Sequence, residues 1–153
     1  MECTNGYTVC NFIALRYKPL YMNKTVYVLG NPLIKSDNLP LMILPALIKT
    51  FPKIKFEILD PTESLVLNKK QDLVFIDTVL GIKKVTVFDN LEKFMLSPRV
   101  SVHDFDLFLE LALLFKMKKI KKIKIIGLPQ KGKKREILFD VCAQLSTHFT
   151  FKK

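Results

Sequence analysis

The chain has no tryptophan, five glycines and three cysteines, and the cysteines fall without paired spacing at Cys3, Cys10 and Cys142. That spacing builds no disulfide framework, zinc knuckle or Cys-x-x-Cys motif, so a cytoplasmic location is expected. Scarce glycine beside 49% hydrophobic residues argues against a disordered chain. No apolar run approaches the ~20 residues that span a bilayer. The N-terminus lacks a basic leader region, and its apolar patch at 12–15 is short for a signal peptide. No membrane insertion is therefore expected. The chain also lacks Gly-x-Ser-x-Gly, His-Glu-x-x-His and P-loop patterns, and the loop Gly30-Asn31-Pro32 lacks the glycines of a dinucleotide site.

What is present fits one domain. At 153 residues the chain can bury a sizeable core. Residues 1–23 show no periodicity and read as an N-terminal extension, and the domain proper spans 24–153. The formal charge is +11, much of it in the runs 116–124 and 131–135. Aromatics are not interleaved with these lysines and no nucleic-acid motif appears, so no nucleic-acid partner is expected. Solvated lysine faces are the simplest reading, with an acidic protein partner as the alternative.

The central stretch is Val26–Asn38. Residues 25–29 are β-branched, aromatic and apolar, as a buried strand should be. Gly30-Asn31-Pro32 breaks it, and Asp37-Asn38 suit the mouth of a helix beginning at Leu39. That helix, 39–50, is apolar on nearly every side and should be buried, with Pro40 in its first turn and Pro45 kinking or loosening it. Further strands are expected at 54–59, 72–76, 84–88 and 122–128, and further helices at 105–115 and 133–149. The short link between the third and fourth strands favours antiparallel neighbours at a sheet edge. Leu138, Val141, Cys142, Leu145 and Phe149 form a core stripe at helical spacing. The order β-α-β-β-β-α-β-α predicts an α/β fold: a three-layer α/β/α sandwich with a mostly parallel, five-stranded twisted sheet and one antiparallel strand.

In such a sheet, ligands bind beyond the carboxyl ends of the strands. Asp37 follows the first strand, Asp77 follows the third, and His103 opens a helix. Two carboxylates and an imidazole suit a divalent transition metal such as nickel or zinc. Asp60, after the second strand, would act behind them or on substrate. The plain alternatives are that Asp37 caps its helix, Asp77 is a strand-end turn residue and His103 is a cap or surface histidine. His148, near the end of the last helix where a cation favours the dipole, is assigned no site role.

In order and spacing these residues resemble the hydrogenase maturation endopeptidases. The resemblance is carried by Gly30-Asn31-Pro32-Leu33-Ile34-Lys35-Ser36-Asp37-Asn38-Leu39-Pro40, similar to a GNxLxxD[DE]GxG loop. It is extended by Asp60-Pro61-Thr62, Ile76-Asp77, Val102-His103 and Ile126-Gly127-Leu128-Pro129, and covers about 24–145. Ser36 stands where an acid is common, and Asn38 and Pro40 replace glycines, so a stiffer loop and a diverged member are implied.

The resemblance implies an endopeptidase that removes a C-terminal peptide from a nickel-loaded nickel–iron hydrogenase large-subunit precursor. Asp37, Asp77 and His103 are implied as ligands to nickel carried by the substrate, which zinc or cadmium would replace in vitro. Asp37 and then Asp60 are the implied acid–base residues, and Gly30, Asn31 and Thr62 the substrate-binding loop. A monomer is expected. Two other readings stay open: a catalytically lapsed relative binding an acidic protein partner through 116–135, and a flavodoxin-like small-ligand protein.

Overall fold

The computed structural model describes residues 24–60, 71–90 and 103–149, the side chains of 71 and 103–108 excepted. In chain order the elements are β1 (Lys24–Val28), α1 (Leu39–Thr50), β2 (Ile54–Ile58), β3 (Gln71–Val79), β4 (Thr86–Phe88), α2 (His103–Lys116), β5 (Ile120–Pro129) and α3 (Lys134–Phe149). This is the expected order. The five strands form one sheet, β2-β1-β3-β5-β4. β1 runs parallel to β2 and β3, and β3 parallel to β5. β4 is antiparallel, at the sheet edge as expected, but its partner is β5, not β3. The short β3–β4 link therefore steps over β5, which enters later in the chain and takes the place between them.

The inner strands are apolar on both faces because helices cover both. On one face, Val26, Val74, Ile76, Ile126 and Leu128 pack against Ile43 and Leu47 of α1 and Val141, Cys142 and Leu145 of α3. On the other, Tyr27, Leu29, Phe75 and Ile125 pack with Leu111 of α2. The Tyr27 and Phe75 rings stack at 5.4 Å. Burying each such side chain contributes about 1.5–3 kcal/mol relative to exposure. The result is three layers, α/β/α. Every residue of the expected α3 stripe is buried.

α1 spans Pro45. That residue is exposed, so the Leu41 carbonyl it cannot bond faces the solvent side of the helix. One expectation changes: α1 is not buried all round, since Met42 and Ile48 are about half exposed (48% and 49%).

Helix α2 ends in a Schellman motif. The Lys119 amide donates to the Leu114 carbonyl (3.0 Å) and the Lys118 amide to that of Phe115 (2.9 Å), with Lys118 at φ 57°. Only 117–119 then separate α2 from β5, so the helix ends at the amino edge of the sheet. Its first residue, His103, consequently lies toward the carboxyl edge.

Candidate active site

The carboxyl edge of the sheet is built from three close elements. β1 ends at Val28, and the Leu29 amide still donates to the Ile76 carbonyl at 2.9 Å. The chain then turns sharply at Gly30, which has φ 149°. A Cβ there would sit 2.7 Å from the Asp37 carbonyl oxygen, so the loop closes onto a residue that must be glycine. Asn31 shapes the first turn of the loop. Its carbonyl accepts the Ile34 amide (3.1 Å), and its side-chain oxygen accepts the Leu33 amide (2.9 Å). A second turn closes with the Asp37 amide donating to the Ile34 carbonyl at 2.9 Å.

These turns carry Asp37 back over β1. It is buried, and its Oδ2 accepts the Asn31 amide at 3.0 Å. The carboxylate is thus tied across the mouth of the loop. Asn38 occupies the N-cap position of α1 with φ −91° and makes no side-chain capping bond. Within the loop from Leu29 to Asn38, positive φ occurs at Gly30 alone. The positions that resemble glycines in the loop pattern therefore need none here: Asn38 is helical in backbone and Pro40 lies buried in the first turn of α1.

Asp77 lies deeper than a strand-end turn residue. β3 continues through Thr78 and Val79, and Asp77 is paired in register with Gly127 of β5. It is 4% exposed and its Oδ1 accepts the Thr78 amide at 2.7 Å. By strand alternation Asp77 shares the sheet face of Phe75 and Val79, the face covered by α2. Gly127 beside it leaves room for neighbours: a Cβ there would meet Val79 Cγ2 at 2.8 Å and Phe88 Cε2 at 2.9 Å.

The backbone of His103 opens α2. Its side chain lies outside the described residues, as does Thr62. Asp60 is exposed just beyond the end of β2. The fold therefore brings Asp37, Asp60, Asp77 and the start of α2 to one edge of the sheet. Among the described residues no three His, Cys, Asp or Glu side chains converge as a metal site. Thr78 is a residue that sequence reasoning misses. It is buried, and its hydroxyl has no hydrogen-bond partner among the described residues. An Asp-Thr pair after an apolar run looks like a turn, which hides it.

His148, placed near the end of α3, is pushed down to about 4 from an ordinary 6.5, first by burial and then by Lys124 and Lys24. It edges the Phe149 ring at 4.7 Å. The favourable helix dipole does not keep it charged.

The chain is an α/β/α sandwich with two buried acids on its carboxyl edge. Its fold is similar to that of two solved endopeptidase structures. Hydrogenase maturating endopeptidase HybD from E. coli superposes with TM-score 0.57 at 16% identity, over 83% of this chain and 88% of that one. An endopeptidase from Escherichia coli, solved in solution, superposes with TM-score 0.51 at 15% identity over the same shares. No protein-family model matches the chain, and no curated protein sequence does.

Proposed function

We infer that the chain is an endopeptidase that removes a C-terminal peptide from a nickel-loaded nickel–iron hydrogenase large-subunit precursor. One observation carries this reading: on a fold shared with a hydrogenase maturating endopeptidase, Asp37 is buried and drawn back over the end of β1, on the same sheet edge as buried Asp77. Nickel belongs to the substrate. Two carboxylates and an imidazole form a donor set that suits it, so Asp37, Asp77 and His103 are assigned as the groups that hold it.

In this reading the metal works as a recognition device. Held by the three side chains, it fixes the precursor's C-terminal segment against the loop from Gly30 to Asn38, and water cleaves the peptide bond so positioned. Asp37 is assigned first to any proton transfer and Asp60, exposed at the end of β2, second. Thr62 and the Gly30–Asn31 turn are assigned to contact with the substrate backbone.

The test is processing of the precursor by wild type, Asp37→Asn and His103→Ala, with circular dichroism to verify folding. Both variants should fold and leave the precursor intact. Normal processing by either contradicts the assignment.

A further inference from the structure

The sequence holds a lysine pair, Lys83-Lys84, far from the run Lys131–Arg135, and the sheet topology brings the two together. β4 pairs antiparallel with β5, with Thr86 opposite Gly127. The link from β3 to β4 passes the carboxyl end of β5, which lies between those two strands, so Lys83 and Lys84 in that link lie on the edge where β5 ends at Pro129. Lys131, Lys133, Lys134 and Arg135 come immediately after, in the turn and first residues of α3, and all six side chains are exposed. Among them Lys133 pairs with Glu136 at 3.1 Å. This basic cluster borders the end of β3, where Asp77 lies across from Gly127.

The second lysine run behaves differently. Lys116, Lys119, Lys121 and Lys122 gather at the α2–β5 junction, on the amino edge. That lies the length of β5 away, about 30 Å at ~3.3 Å per residue. On the sequence both runs read alike as solvated faces. In the fold only one shares an edge with the candidate active site.

We propose that the Lys83–Lys84 and Lys131–Arg135 cluster is the docking surface for an acidic segment of the substrate protein, adjacent to the bond that is cut. The identity of that partner rests on the peptidase reading above. The chemistry rests on the cluster itself: exposed ammonium and guanidinium groups from neighbouring loops, beside an edge where Asp37 and Asp77 are buried. A protein partner is favoured over nucleic acid because no aromatic side chain is interleaved with these lysines to stack on bases.

The test compares two triple variants of equal charge change, Lys83→Glu/Lys84→Glu/Lys131→Glu and Lys119→Glu/Lys121→Glu/Lys122→Glu, each checked for unchanged thermal unfolding. The first readout is fluorescence anisotropy of a labelled decaglutamate peptide and of a single-stranded DNA decamer at low and moderate salt. The carboxyl-edge variant should weaken peptide binding by about tenfold or more and the amino-edge variant by about twofold or less, with the difference shrinking as salt rises. Equal losses in both variants overturn the proposal, as does DNA bound more tightly than the peptide and lost in the carboxyl-edge variant. The second readout is steady-state cleavage of nickel-loaded precursor, where KM should rise in the carboxyl-edge variant with kcat unchanged. A precursor left intact by wild type defeats the peptidase reading, while the peptide comparison still decides whether the surface captures acidic segments.

Discussion

Replacing Gly30 with alanine tests how the Asp37 loop is held. The new methyl would meet the Asp37 carbonyl oxygen at 2.7 Å, a backbone atom that moves only with the loop, in a residue at φ 149°. The conformation costs a non-glycine residue about 1–2 kcal/mol, and a forced contact in a packed region about 1–3 more. Reduced freedom of the unfolded chain offsets about 0.4–1 kcal/mol. A net loss of about 2–4 kcal/mol is expected. At about 2–4 °C per kcal/mol for a chain of this size, the midpoint of thermal unfolding should fall by roughly 5–15 °C. Gly81 is the control. It has φ 79° but open space around the added methyl, so Gly81→Ala should cost about 1 kcal/mol. Urea denaturation of both variants isolates the clash as the difference between them. A Gly30→Ala loss equal to or below that of Gly81→Ala would refute the close approach of Asp37 to β1.

Two more outcomes are set by particular side chains. Lys118 holds the left-handed position of the Schellman motif that ends α2, so Lys118→Gly should raise stability by about 1 kcal/mol, and unchanged or lower stability in urea would contradict that geometry. His148 is held down at about 4, so between pH 6.5 and 4 the unfolded chain takes up a proton that the folded chain refuses. Its contribution is therefore full above pH 6.5, falls as pH drops through this window and levels off below 4. Lys124 and Lys24 push it down while Asp72 and Asp89 oppose them. For this half-buried group, screening leaves about 1–2 kcal/mol, and His148→Gln should flatten the decline by that amount in unfolding measured at pH 7.5 and 4.5.

The order of elements is legible in the sequence because each buried strand is a compact apolar run between turn residues. Pairing is not. Asp77-Thr78 looks like a turn on composition, yet β3 extends through it because β5 offers partners as far as Pro129. The place of β4 is hidden for the same reason, since its neighbour arrives later in the chain. Pro45 and Met42 show that an apolar helix sequence does not fix which side meets solvent. At the candidate site, Asp37, Asp60, Asp77 and His103 are identifiable from their positions after strands or before a helix. The bond from the Asn31 amide to Asp37 is not, because it exists only once the loop has folded back across Gly30. The placing of Lys83-Lys84 and Lys131–Arg135 on one edge is likewise invisible in the sequence, being a property of the strand order β3-β5-β4.

The proposed trimming of a hydrogenase large-subunit precursor that already carries nickel is open to a single experiment. Mass spectrometry of the precursor after incubation with wild-type protein, in nickel-loaded and nickel-free forms, tests it most directly. A shortened C-terminus is expected in the nickel-loaded form and an intact one in the nickel-free form. Loss of the C-terminal peptide from both forms, or from neither, would contradict the proposal.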